Sequence, residues 1–174
     1  WQSPRKVETF FSRLNGENWI FDRPKHVHVV RADGTGQVRN LTPGPHQHQG
    51  VSWAPDSSAI VTSAARHDGW DRDLARDIYV VPLDADEHPD HIRCLTAHDG
   101  TYFSPSISPD GGSVAFIGRD DPDTLVHNFA VGSLDFDAEA VPADQIRWAS
   151  TALDRTFTCT VGGRTGMSYC CWCD

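Results

Sequence analysis

The sequence predicts an all-β protein, a partial β-propeller of about three blades with four antiparallel strands each. The first observation is a repeat, because VSWAPDSSAIVTS at 51–63 recurs as SISPDGGSVAFIG at 106–118. The second is its spacing, since Asp56 and Asp110 lie 54 positions apart, and repeats of roughly this length are typical of propeller blades. The third is the content of 14 glycines and 11 prolines, which suits a turn-rich β protein.

Each repeat contains turns and short runs that we predict as strands. In the turn Ser108–Gly111, proline fixes φ, aspartate caps the turn and glycine takes the left-handed position. Ser57 occupies that glycine position in the first copy, so we expect the first turn to differ or to be slightly strained. About four strands then fit each unit. The further strand segments are VHVV at 27–30, IYVV at 78–81, FAVGSLDF at 129–136, RNLT at 39–42 and RCLT at 93–96.

These landmarks divide the chain into the end of one blade at 1–50, two blade-length units at 51–101 and 102–150, and the start of another blade at 151–174. Blades bury their faces against neighbouring blades, so an incomplete ring exposes apolar faces. We therefore expect the sequence to belong to a longer protein, as the missing initiator methionine also suggests, or the chain to self-associate. A β-sandwich with accidental internal similarity is the alternative fold.

Charge and composition argue against several classes of partner. The formal net charge of −9 repels phosphate backbones, so we expect no nucleic-acid partner. No apolar run approaches the length of a membrane span, and the first residues lack the apolar region of a signal peptide. Only one of the five cysteines, Cys94, lies in the first 158 residues, which is not a disulfide framework. We expect a reducing, cytoplasmic compartment.

Three polar groups resemble metal ligands, but we interpret each of them as structural and predict neither a metal nor a cofactor. A metal-binding module built on the histidines and cysteines is a third possible function, and it would require stoichiometric zinc or copper in the purified protein. The histidines are read as surface and blade-edge residues, and the aspartates as turn caps paired with Arg66, Arg72 and Arg76. The cysteines lack a second pair at zinc-finger spacing. The groups are His26, His28, His46 and His48; Asp68, Asp71, Asp73 and Asp77; and the tail cysteines Cys170, Cys171 and Cys173.

Six segments carry a resemblance to a known family. They are NGENWIFDRPKHVHVV (15–30), LTPG (41–44), SWAPD (52–56), RHDGWDRDLARDIYVV (66–81), SPSISPDGGSVAFIG (104–118) and LDRTF (153–157). They resemble the propeller of the prolyl oligopeptidase family of serine peptidases, in particular its acylaminoacyl-peptidase and dipeptidyl-peptidase-like branch. TolB-like propellers share the turn-plus-strand repeat. The resemblance ends near Arg164, and we interpret the cysteine-rich tail beyond it as the product of a frame error or an incomplete reading frame.

The resemblance implies a function without catalysis in this chain. In the family, a Ser-Asp-His triad lies on an α/β-hydrolase domain, the nucleophile sits in G-x-S-x-G, and the propeller filters substrates by size. The sequence lacks that motif; the nearest match, Gly166–Cys170 around Ser168, has no second glycine. The chain is therefore expected to be inert alone and to gate peptide access to a hydrolase domain that it does not contain. The alternative is a TolB-like protein-binding propeller without peptidase activity.

The longest insertion between predicted strands is the loop around Trp70. Loops of this kind project from one face of a propeller, where ligands or partner domains dock. We therefore predict that substrate or a partner domain contacts Arg66, Trp70, Asp71 and Arg72.

Overall fold

A computed structural model describes residues 4, 8–9, 13–14, 18–19, 23–123, 127–157 and 172. Within them the regular elements are almost entirely strands, and the helical segments are single 3-10 turns at Pro89–His91 and Ala143–Gln145. No helix in these ranges is long and apolar enough to cross a membrane. The strands are β1 (Arg13–Leu14), β2 (Asn18–Trp19), β3 (His28–Val29), β4 (Arg39–Asn40), β5 (His48–Trp53), β6 (Ala59–Ala64), β7 (Asp77–Pro82), β8 (Arg93–Cys94), β9 (Thr101–Ile107), β10 (Ser113–Arg119), β11 (Ala130–Asp135) and β12 (Arg147–Trp148).

The strands form two four-stranded antiparallel sheets, each with its strands in sequence order. The first blade is β5–β8 and the second blade is β9–β12. Two hairpins, β1–β2 and β3–β4, precede them. Four-stranded meanders that follow one another along the chain are the blades of a propeller, so the predicted all-β partial propeller is confirmed. The division of the whole chain into blade units stays a prediction.

A hydrogen bond that recurs in three places relates the β3–β4 hairpin to the third and fourth strands of the two blades. After each fourth strand, a hydroxyl oxygen accepts the N–H of a residue at or near the start of the third strand. These hydroxyl positions are separated by 54 residues, as the sequence repeat requires. The donor and acceptor residues are Val27 and Thr42 at 2.9 Å, Ile78 and Thr96 at 3.3 Å, and Val131 and Ser150 at 2.8 Å.

The turns between first and second strands have the same backbone in both blades. Gly111 has φ 77° and Ser57 has φ 62°, and each N–H closes the turn on the carbonyl three residues earlier. The side chains of Asp56 and Asp110 accept hydrogen bonds from residues within the turns. The serine therefore adopts the left-handed conformation that glycine takes in the repeat, and the expected strain is present.

Replacing Ser57 with glycine is expected to stabilise the protein by roughly 0.5–1 kcal/mol. The change removes the steric cost of a Cβ atom at positive φ, partly offset by the greater freedom of glycine in the unfolded chain. The reverse change at the equivalent position, Gly111→Ser, should destabilise by a similar amount. Urea unfolding measures the stability of both variants. If both variants were stabilised, or both destabilised, by the same amount, the two turns would not be equivalent.

The core lies between the blades, so each sheet is buried through its neighbour. Phe116 of the second blade and Val61 of the first are fully buried in one cluster with Tyr102. The opposite face of β6 contributes Ile60 to a second cluster, which contains Leu41 of the preceding hairpin. All six residues of β6 are therefore buried, because this strand has neighbours on both faces.

An arginine at the start of the fourth strand connects neighbouring blades. Arg93 donates to the carbonyl oxygens of Phe136, at 2.8 Å, and Ala138 in the second blade. Arg39, 54 residues earlier, makes the corresponding bond to the carbonyl of Leu83 in the first blade. Arg147, 54 residues after Arg93, instead pairs with Asp135 of its own blade, and both of those side chains are exposed.

These arginines give a matched pair of variants. Arg93→Ala should cost about 1.5–3 kcal/mol, because it removes charged hydrogen bonds between blades. Arg147→Ala removes only an exposed ion pair and should cost at most about 1 kcal/mol. Guanidinium unfolding compares the two variants. An Arg147 effect as large as that of Arg93 would contradict a special role for the connection between blades.

Candidate functional site

One end of the first blade brings together a group of histidine and aspartate side chains. Because the strands are antiparallel, the start of β5, the loop 65–76 from β6 to β7, and the linker 95–100 from β8 to β9 meet at this end. We call this end the histidine face. It is defined by His46, His48, His67, Asp77 and His98.

Asp77 is the centre of the histidine face and is fully buried. Its Oδ1 accepts hydrogen bonds from the Thr96 hydroxyl, at 2.7 Å, and from the backbone N–H of His98, at 3.0 Å. Its Oδ2 lies 2.6 Å from Nδ1 of His98. A buried carboxylate needs such partners, and here they fix the direction of both oxygens.

His67 lies on the other side of the same carboxylate. Its Nε2 lies 3.1 Å from Oδ2 of Asp73, and its Nδ1 lies 3.8 Å from Oδ2 of Asp77. Nδ1 is buried and has no hydrogen-bond partner. The rings of His67 and His98 have centroids 5.4 Å apart, so both imidazoles face Asp77 together.

His48, the first residue of β5, is 4% exposed and forms the second part of the face. The guanidinium of Arg66 donates to its Nε2 at 3.2 Å. Burial, followed by the nearby Arg66 charge, lowers the pKa of His48 to about 3. Burial also lowers the pKa of His46. The ring of His48 is therefore neutral at neutral pH and accepts from Arg66, which is the cation at this position, whereas Nδ1 of His46 donates to the carbonyl oxygen of Ala65 at 3.1 Å.

The loop 65–76 carries the four predicted contact residues. Arg66 binds His48 and also lies 5.7 Å from the ring centroid of Tyr79. Trp70 is half-buried, with its ring centroid 5.7 Å from that of His46. Asp71 is half-buried and Arg72 is exposed. The structure thus places the four residues on one loop beside the histidine face, and their contact role stays a prediction.

The structure brings together a different set of ligand-type residues from those that the sequence suggested. Among the four loop aspartates, Asp73 and Asp77 reach the histidine face, and they contact histidines, a hydroxyl and backbone N–H groups rather than only arginines. His26 and His28 form an edge-to-face ring pair, 6.3 Å apart, instead of a ligand set with His46 and His48. His67 and His98 were not singled out from the sequence. The available signal was their position after the ends of β6 and β8.

The cysteine-rich tail, with Ser168 and Cys170, Cys171 and Cys173, lies outside the described residues. Cys94 is a free, half-buried thiol. Burial, with a smaller contribution from Asp77, raises its pKa to about 11. This thiol is protonated at neutral pH and is not a reactive nucleophile.

Comparisons with known proteins support the fold alone. No protein-family model matches the chain, and no curated protein matches it. A TolB-assigned structure from Agrobacterium tumefaciens is similar over 72% of this chain and 37% of its own length, with 19% identity and a TM-score of 0.51. The crystal structure of TolB from Acinetobacter baumannii matches over 71% of this chain and 26% of its own length, with 18% identity and a TM-score of 0.49. The chain therefore spans well under half the length of either structure.

Proposed function

We propose that this chain is the non-catalytic propeller portion of a prolyl-oligopeptidase-like serine peptidase and that it gates peptide access to an α/β-hydrolase domain. The family resemblance of the sequence and the propeller fold of the chain both support this role. In this role the protein acts in the cytoplasm. Its substrates are peptides that reach the hydrolase domain past the propeller. Chains of this protein self-associate through blade faces that have no neighbouring blade.

The observation that carries the proposal is the loop 65–76 beside the histidine face. It supplies a cation, an aromatic ring and a carboxylate from one segment at one end of the first blade. Arg66 is held by His48, and Trp70 lies against His46, so both side chains are positioned before any partner arrives. Preorganised groups of this kind suit recognition of a peptide or of a partner domain.

The second candidate is a TolB-like propeller that works through protein contacts and has no peptidase partner. Its basis is the propeller fold that the chain shares with the Agrobacterium structure. Both candidates use the same loop as a contact surface. They differ in whether a serine nucleophile belongs to the same protein.

The test compares the complete gene product with the 174-residue chain on acylated peptides of increasing length. We expect the complete product to cleave the short peptides and to react with a fluorophosphonate, which labels activated serines. The chain alone should do neither. A complete product that is neither labelled nor active would overturn the peptidase proposal and leave the binding propeller.

A variant tests the contact loop within that assay. The double change Arg66→Ala and Trp70→Ala should alter the length of peptide that is cleaved, with labelling by the fluorophosphonate unchanged. Arg31→Ala is the matched control, because Arg31 is exposed in the turn of the β3–β4 hairpin. An unchanged length limit in the double variant would argue against a gating role for the loop.

A further inference from the structure

The geometry points to a binding site for a zinc-class divalent cation formed by His67, Asp77 and His98, and we propose that the chain binds one such ion there. Of the described residues, these three form a group with one ligand atom each, all within 4.8 Å of one another. Two imidazole nitrogens and one carboxylate, with a water as the fourth ligand, form a common donor set for zinc. The proposal does not depend on the proposed function, because the ion is bound by this chain alone.

The orientation of His67 suits a metal ligand. A carboxylate only accepts hydrogen bonds, so the contact of Nε2 with Asp73 places the proton of neutral His67 on Nε2. Nδ1 then carries a lone pair, and it is buried without a partner while facing Oδ2 of Asp77. Two electron-pair donors that face each other across 3.8 Å are matched by a cation between them. The carboxylate–histidine contact is also the usual outer support of a metal-binding histidine.

The carboxylate of Asp77 is held in place by hydrogen bonds to one of its oxygens. The hydroxyl of Thr96 and the N–H of His98 hold Oδ1, so Oδ2 is directed toward both imidazoles. These contacts are made by residues of the β8–β9 linker, on a different segment from His67. The carboxylate is thus fixed before an ion arrives, which lowers the cost of ordering the ligands.

The distances between the ligand atoms and the exposure of His98 are compatible with a bound zinc ion. Ligand atoms bound to one tetrahedral zinc ion lie about 3.4 Å apart, as bond lengths of about 2.0–2.1 Å require. The 3.8 Å separation must close slightly, and the 2.6 Å separation between His98 and Asp77 must open by less than about 1 Å. The side chain of His98 is 45% exposed, so it can move and the ion can enter past it. On binding, Nδ1 of neutral His98 gives up its proton to solvent and Nε2 takes one up from solvent, so the ring remains neutral while Nδ1 holds the ion.

An ion at this position would join two segments that are distant in sequence. His67 belongs to the loop 65–76, and His98 belongs to the linker that leads into the second blade. Coordination would tie the loop that carries Arg66 and Trp70 to the junction between blades. Zinc is therefore expected to reduce cleavage of the loop 65–76 by trypsin.

The experiment is zinc titration of the untagged chain by calorimetry, followed by cobalt substitution. We expect one ion per chain and a cobalt spectrum with tetrahedral d–d bands and no thiolate charge-transfer band. His67→Gln and His98→Gln should each lower the affinity at least about tenfold, and Asp73→Asn should lower it roughly 10- to 100-fold through loss of the outer support. If His67→Gln fails to fold, the zinc affinity of His98→Gln alone tests the proposal, because the His98 side chain is half exposed and its replacement should not prevent folding.

Two controls separate this site from other sources of zinc binding. His91→Gln alters the other described group of ligand atoms, formed by exposed His88, Asp90 and His91, and should leave the affinity unchanged. A variant with Cys170, Cys171 and Cys173 changed to serine should also bind normally. The proposal is overturned if the chain binds no stoichiometric zinc, if binding survives unchanged in His67→Gln and His98→Gln, or if it disappears with the cysteines.

Discussion

Replacing Phe116 with alanine is expected to lower the free energy of unfolding by about 3–5 kcal/mol. Phe116 is fully buried between the blades. Its ring lies 5.3 Å from that of Tyr102 and 6.0 Å from that of Trp148, in edge-to-face contacts. Gly132 permits this position, since a Cβ there would lie 2.8 Å from the ring. The variant removes the aromatic group around which the second blade packs, and it leaves a cavity.

Guanidinium unfolding followed by tryptophan fluorescence measures this loss. Phe116→Leu fills more of the space and should cost clearly less, which keeps the comparison measurable if the alanine variant does not fold. Trp53→Ala is the control, because it also deletes an aromatic ring but from a side chain that is 47% exposed. Equal losses from Phe116→Ala and Trp53→Ala would contradict a core located between the blades.

Lowering the pH from 7 to 5 is expected to destabilise the protein through His48. Its pKa is lowered in the folded state from about 6.5 to about 3, so between pH 7 and pH 5 the unfolded chain binds a proton at His48 that the folded chain does not bind. Stability from this group is complete above pH 6.5 and is lost as the pH falls toward 3. One proton corresponds to about 1.4 kcal/mol per pH unit, which gives about 2 kcal/mol between pH 7 and pH 5. The lowered pKa of His46 acts in the same direction.

The check is the free energy of unfolding measured at several pH values in wild type and in His48→Gln. Glutamine offers an oxygen to Arg66 but cannot take up a proton, so the variant should show a flatter dependence on pH above 5. The lowered pKa values of Asp56 and Asp110 give stability that is lost only at more acid pH, outside this window. Identical slopes in wild type and variant would show that His48 is not the responsible group.

The fold could be predicted because the repeat depends on turn and strand residues that are adjacent in the sequence. A proline, an aspartate and a left-handed residue make the same turn twice, and strands follow the turn in each copy. The strain at Ser57 could also be predicted, since the first copy has a serine at the left-handed position where the second copy has a glycine. The role of Arg93 could not, because the carbonyls that it binds lie more than forty residues away in the next blade.

The histidine face was predicted only in part. The loop around Trp70 stood out because it is long and charged. His67 and His98 did not stand out, because their common partner Asp77 follows the loop and lies 21 residues before His98. The antiparallel order of β6, β7 and β8 brings these positions to one end of the sheet. A single sequence shows such a group only after the strands and their directions have been assigned.

We propose that this propeller belongs to a serine peptidase, and sequencing the coding DNA upstream of Trp1 and downstream of Asp174 in all frames tests this most directly. We expect further blades with S-P-D-G turns, followed by a strand, a G-x-S-x-G turn and a helix. A coding sequence that contains only further blades, or none, would contradict the peptidase role. The histidine face would then belong to a binding propeller.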